Sequence, residues 1–175
     1  PVPEDVDSDG LCALLYTSGT TSMPKGVKLT NGAITGYVMG SNDAASGEDM
    51  GRMALAAPLY HIAGVTSMLN ALYSGRIVVL LPQFEAEAWI ETVQKHSVTH
   101  AFLVPTMLAR VMEADNFSKT AFEGMDGITY GAAPMPPSVI RRAISVFPEN
   151  VSFAGAYGQT ETTSTVAVLD PDDHR

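Results

Sequence analysis

The ten residues Thr17-Ser18-Gly19-Thr20-Thr21-Ser22-Met23-Pro24-Lys25-Gly26 hold five hydroxyl side chains, two glycines and one lysine. Glycine lets the backbone turn its N–H groups toward one point, and the lysine adds a mobile positive charge. Such a set of donors suits a polyphosphate. It is not a Walker A loop. Counted from Gly19, Pro24 stands where that loop needs glycine, and Gly26 replaces its Ser/Thr magnesium ligand. Turns are rich in these residue types anyway, so composition alone fits a polar surface turn equally well.

Two further places hold candidates. His61 lies in Ala56-Ala57-Pro58-Leu59-Tyr60-His61-Ile62-Ala63-Gly64; a lone histidine in apolar surroundings is usually a satisfied core or capping residue. Gly131-Ala132-Ala133-Pro134 and Gly155-Ala156-Tyr157-Gly158-Gln159-Thr160-Glu161 set small residues beside an aromatic ring. Small residues beside an aromatic ring can form a flat slot for a planar heterocycle. Thr160 offers a hydroxyl to a phosphate, and Glu161 a hard carboxylate suited to Mg²⁺. Taken separately, Tyr157 is equally a packing residue and Glu161 a solvated acid.

The elements that must position these groups follow from hydrophobic periodicity. Residues 11–16 read as a buried strand, 17–26 as a loop and 27–29 as a short returning strand. Thr30 or Asn31 caps a helix that Gly36 and Gly40 weaken. Further strands are expected at 53–57, 77–81, 101–104, 128–130, 151–153 and 166–169. Helical spacing marks 61–73, 85–96, a stretch opened by Pro105 and another opened by Pro136-Pro137. Strands that are aliphatic rather than alternating predict an α/β fold, a mostly parallel sheet with helices on both faces. Ligands of such sheets bind beyond the carboxyl ends of the strands. The candidate loops all follow expected strands. The polar stretch 41–51 reads as a surface loop, Cys12 as a buried and inert thiol, and Trp89 as core; His96 and His100 have no partner at metal-ligand spacing.

Composition narrows the classes. At 46% apolar and 17% charged residues the chain is globular rather than disordered. No run approaches the ~20 apolar residues of a membrane span. A single cysteine excludes an internal disulfide or a multi-cysteine metal site. Ten basic against 19 acidic residues give a formal charge of −9, which repels a nucleic-acid backbone. Small anions are not excluded, because local donors outweigh the global field. Seven of the acids crowd the segments 4–9 and 170–173.

In this order and at these separations, the motifs resemble the adenylate-forming (AMP-binding) superfamily, in particular its acyl-CoA synthetase branch. The run from Tyr16 to Gly26 is similar to the family's phosphate loop, and Tyr157-Gly158-Gln159-Thr160-Glu161 to its second core motif. The resemblance implies that Thr17, Ser18, Gly19, Thr20, Thr21 and Lys25 hold the β- and γ-phosphates of ATP. It implies that Gly131, Ala132 and Ala133 line the adenine slot with Tyr157 stacked on the base and Gly158 beside it. Thr160 is then the α-phosphate contact, Glu161 the Mg²⁺ ligand, and His61 the residue where acid meets nucleotide. Ser22 replaces the commoner glycine of the loop, and Gly155 replaces an amide that reads the adenine edge in many relatives.

The resemblance further implies a reaction in two halves. A carboxylic acid and ATP form acyl-adenylate and pyrophosphate; coenzyme A then displaces AMP to give a thioester. Amino-acid-activating relatives usually carry Phe-Asp where this chain has Tyr60-His61, and an ammonium group left without that aspartate is costly to bury. A plain fatty or aryl acid is therefore expected, in a pocket formed with Ile62, Val65, Met68, Met107 and Met112. The family's Thr-Gly-Asp ribose motif and its C-terminal lysine have no counterpart here. Residues 11–169 are thus expected to be part of a larger adenylation domain, with 1–10 and 170–175 as connecting segments. By themselves they are expected to turn over little substrate. A cytoplasmic enzyme is the expectation; a non-catalytic nucleotide-binding remnant and a luciferase-like or aryl-acid ligase are the alternatives.

Overall fold

The computed structural model describes residues 6–18 and 23–174. It opens with an antiparallel pair, β1 (Leu11–Thr17) and β2 (Lys25–Thr30), in which Thr17 faces Lys25 and Leu14 faces Lys28. Ala13, Leu15 and Val27 turn inward with the buried Leu29, while Leu14 and Tyr16 face outward and are exposed. The expected buried strand is therefore a half-covered one. Two strands have only one face to bury, so their side chains alternate. Cys12 lies on this pair and is exposed, against the expectation of a buried thiol.

Thr30 caps α1 (Asn31–Ser41), its hydroxyl accepting from the Ala33 N–H at 3.1 Å. The helix runs through Gly36 and Gly40, anchored by Ile34 and Val38 against the hairpin. Next come β3 (Arg52–Leu55), α2 (Ile62–Tyr73), β4 (Ile77–Leu80), α3 (Ala86–His96), β5 (His100–Leu103) and α4 (Pro105–Glu113). The chain continues through β6 (Gly127–Gly131), α5 (Pro137–Val146), β7 (Ser152–Gln159) and β8 (Ser164–Leu169).

The main sheet has the order β4-β3-β5-β6-β7-β8, parallel throughout except for the antiparallel β7–β8 pair. Connections from β3 leave in opposite directions. One goes through α2 to β4, and the chain then returns through α3 to β5 on the other side. A sheet that reverses its winding opens a crevice at that point.

The faces are covered unequally. Helices α3, α4 and α5 pack over one side, where Trp89, Ile90, Leu108, Phe122 and Phe147 are wholly or almost wholly buried. On the other side α2 covers Leu55 and Phe102. Met107 and Met112 belong to the first side, so they are core residues of α4 rather than part of an acid pocket. Their 3.6-residue spacing told of an apolar face without saying which layer it meets. Edge strands are less enclosed: Ile77, Leu80, Val166 and Val168 are all more than half exposed.

One expected loop is a strand. Residues 155–159 continue β7 instead of leaving the sheet, because β8 folds back and pairs with them from Gly155↔Leu169 to Gln159↔Ser164. Small residues form poor strands alone, and the partner backbone decides the matter. At Gly158 a Cβ would run into the Ser164 carbonyl, so only glycine permits this approach.

Candidate active site

The cleft at the carboxyl ends of the strands is about 660 Å³ in volume. Its walls come from five parts of the chain. Thr17, Ser18 and Lys25 stand at the open end of the β1–β2 pair. Pro58 and His61 lie between β3 and α2, Val104 follows β5, Ala132 follows β6, and Gly158, Gln159, Thr160 and Glu161 end β7. Residues separated by more than a hundred positions thereby share one surface. Gly19, Thr20 and Thr21 lie outside the described residues.

One hydrogen bond ties the two signature motifs together. Thr17 Oγ1 donates to Glu161 Oε1 at 3.2 Å. Glu161 is the one acidic side chain in the described wall of the cleft. It is held on a 3-10 turn, Thr160–Thr162, that Gln159 caps: the Gln159 N–H donates to Thr162 Oγ1 at 3.3 Å, and that hydroxyl donates onward to the Ser164 carbonyl at 2.9 Å. Thr163 and Ser164 follow with φ of 59° and 103°, the left-handed turn that sends the chain back as β8.

His61 sits at the N-cap position of α2 with an extended backbone and makes no capping bond with its side chain. Its ring lies 4.9 Å from that of Tyr60, and both face solvent. Among the described residues the imidazole makes no hydrogen bond, unlike a satisfied core histidine. Ala132 carries a φ of 64°, an uncommon conformation for a residue with a Cβ, and it lines the cleft. Gly131 is buried in β6 opposite Ala156, and Ala133 is exposed beyond it. Tyr157 is 73% exposed and stands outside the described wall.

At Gly155 a Cβ would stand 2.9 Å from Tyr130 Oη, so the tyrosine occupies the space an amide side chain would need. Burial pushes the Tyr130 phenol up, and its oxygen lies 2.8 Å from His174 Nε2.

Sequence reasoning missed several contributors. Gln159 lines the cleft and caps the turn under Glu161. Phe102 of β5 and Val104 just after it line the cleft. Thr66 and Ser164, both buried, bond at 2.9 Å and join α2 to the start of β8. None of these carries a local signal, although Gln159 sits inside a motif already singled out. Val65 and Met68 are absent from the cleft wall; Ile62 is present.

Among the described residues, no group of three or more His, Cys, Asp and Glu is placed to hold a metal ion. The cleft instead offers one carboxylate among hydroxyls, an all-oxygen set of the kind magnesium accepts together with phosphate oxygens. No helix among the described residues is long and apolar enough to cross a membrane.

Known proteins resemble this chain. A feruloyl-CoA synthase of an Amycolatopsis species is 34% identical over 169 residues, covering 94% of this chain and 33% of that protein. The indoleacetate–CoA ligase of Aromatoleum aromaticum is 31% identical over 175 residues, covering 98% and 34%. Among solved structures, the o-succinylbenzoate CoA synthetase of Bacillus subtilis in complex with ATP and magnesium superposes with a TM-score of 0.79 at 29% identity. It covers 95% of this chain and 34% of that one. The chain therefore spans about a third of the length of the curated relatives it matches. The family model for AMP-binding enzymes matches residues 1–175, so the chain belongs to the AMP-binding enzymes.

Proposed function

We propose that this cleft brings ATP and a carboxylic acid together to form an acyl-adenylate, whose acyl group then passes to the thiol of coenzyme A. The observation that carries the reading is the 3.2 Å bond from Thr17 to Glu161, which unites the phosphate-type loop with the carboxylate of the second motif. Relatives that are CoA ligases for aryl acids support the same reaction class.

The first half-reaction joins two anions. A substrate carboxylate oxygen attacks the α-phosphorus, the bond to the leaving pyrophosphate breaks, and negative charge grows on the leaving side. Lys25 and the hydroxyls of Thr17 and Ser18 face that charge, with Gly19, Thr20 and Thr21 assigned to the same phosphates. Magnesium arriving with the nucleotide supplies further neutralisation, and Glu161 with its neighbouring hydroxyls would hold it. Thr160 is assigned to the α-phosphate. Tyr157, exposed beside Gly158, offers its ring to adenine across from Gly131, Ala132 and Ala133. His61 stands exposed where the acid would enter. In the second half-reaction the thiolate attacks the acyl carbon and AMP departs.

A neutral or anionic acid suits the site better than an amino acid. Glu161 is engaged by Thr17, and among the described residues the adjoining cavity beneath α2 has no Asp or Glu in its wall to pair an ammonium group.

ATP–pyrophosphate exchange across a panel of fatty, aryl and amino acids, run on the whole protein, tests the reading. Exchange is expected with aryl or fatty acids and its loss with Glu161→Gln; exchange driven by amino acids alone, or by no acid at all, overturns it. The 175 residues alone are expected to bind MgATP weakly and to turn over little.

A further inference from the structure

A second cavity of about 340 Å³ lies between α2 and the sheet face that α3, α4 and α5 leave uncovered. It shares Ile62, Ala63, Phe102, Ala132, Gly158 and Gln159 with the cleft, so the two adjoin. Its other end reaches the amino ends of the strands, at Arg76, His100, Gly127 and Ser152. The four residue steps from His100 to Val104 span ~13 Å of extended chain. An acid whose carboxylate reacts in the cleft thus extends its far end toward Arg76.

That end is charged and incompletely satisfied. Arg76 Nη1 donates to Ser74 Oγ at 3.1 Å and Nη2 lies 3.5 Å from His100 Nε2, while Nε is buried without a partner. Among the described residues Arg76 forms no ion pair; the ion pair present is Arg142–Glu113. His100 Nδ1 is engaged with Thr99 Oγ1 at 2.8 Å. Asn70, on α2, lines the same cavity and its amide oxygen is also buried without a partner. Turning that amide presents its NH₂ to the same space. Asp126, near the start of β6, is outside the wall. A purely apolar tail would leave the guanidinium stranded against hydrocarbon, whereas a carboxylate pairs with it through two parallel bonds.

We infer that Arg76 is a specificity-determining residue, selecting acids that carry a second anionic group at the end distant from the reacting carboxylate. The inference rests on the activation reading given above and deepens it to a substrate class: extended dicarboxylic acids, aliphatic or aryl. Ser74 and His100 hold the guanidinium, and Asn70 completes the donor set.

The test compares α,ω-dicarboxylic acids with monocarboxylic acids of equal length in ATP–pyrophosphate exchange by the whole protein, for wild type, Arg76→Met and Arg76→Lys. Wild type is expected to favour the dicarboxylic acid at least tenfold in kcat/KM, chiefly through KM. Arg76→Met should reverse the preference, and Arg76→Lys should keep part of it. Equal or better use of the monocarboxylic acid by wild type, with Arg76→Met unchanged, overturns the inference. If no acid supports exchange, the activation reading has failed, and calorimetric titration of the chain with the dicarboxylic acid then decides this one alone. Binding that Arg76→Met abolishes, with its melting temperature retained, supports it; equal binding by wild type and Arg76→Met sinks it. Should Arg76→Met unfold, the same titration on Arg76→Lys decides, with weakened but measurable binding expected and undiminished binding counting against.

Discussion

Thr66 on α2 and Ser164 at the head of β8 share a buried hydroxyl–hydroxyl bond of 2.9 Å across 98 positions of sequence. Thr66 Oγ1 also lies 2.8 Å from the Ile62 carbonyl, which takes its single proton, so Ser164 is the donor between the two. The bond fixes the helix that begins beside His61 against the turn that carries Thr160 and Glu161. Thr66→Val keeps the shape and removes the acceptor, leaving the Ser164 hydroxyl buried without its partner. A loss of about 1–3 kcal/mol is expected in urea unfolding. Ser164→Ala alone should cost less than that, and a double-mutant cycle should return a favourable coupling of about 0.5–1.5 kcal/mol; additivity would show that the pair does not couple α2 to the turn.

Lys25 heads β2 opposite Thr17 and lines the cleft. Lys25→Ala in the whole protein is expected to weaken the interaction with ATP phosphates by about 1.5–3 kcal/mol, the range for hydrogen bonds to charged groups. Steady-state kinetics with ATP varied read this directly. An unchanged kcat/KM for ATP would remove Lys25 from the phosphate site.

His100 predicts a pH effect on stability. Burial holds its imidazole below the ordinary value of 6.5, Arg76 adds to this, and Asp126 opposes both. The unfolded chain therefore takes up a proton at pH values where the folded chain does not, so this residue's contribution falls as pH drops below about 6.5 and levels off below the folded value. Urea midpoints measured across that window should decline more steeply in wild type than in His100→Gln. Parallel slopes would mean that the imidazole is not desolvated.

Gly158 predicts a steric effect at the site. Gly158→Ala forces a methyl group onto the Ser164 carbonyl, at the point where β7 and β8 close over Glu161. Overpacking of this kind costs about 1–3 kcal/mol. Thermal unfolding should show that loss, and MgATP binding should weaken with it because the turn beneath Glu161 moves. A variant as stable as wild type would mean that the hairpin opens freely.

Much of the fold was legible from periodicity. The helices at α2 to α5 and the strands β3 to β6 fall close to the apolar runs, and Thr30, Pro105 and Pro137 mark helix starts as their chemistry requires. What failed had a common cause. Cys12 was expected to be buried because an aliphatic run says nothing about how many layers cover it. Residues 155–159 were expected to be a loop because glycine and alanine form poor strands until a second strand pairs with them. Met107 and Met112 were placed in a pocket because helical spacing identifies an apolar face without naming the layer it meets.

The sequence by itself determined the α/β class and the residue types of the chemistry: hydroxyls and lysine in one loop, threonine and glutamate in another, histidine in a third. Those are local properties, written in composition and short spacings. Only the tertiary structure decided that Thr17 meets Glu161, that Thr66 locks to Ser164, and that Arg76, without an ion pair among the described residues, ends the cavity beside the cleft. Contacts across a hundred residues depend on strand order and on which face each helix covers. Those are set by packing of the whole chain, which no short stretch of it encodes.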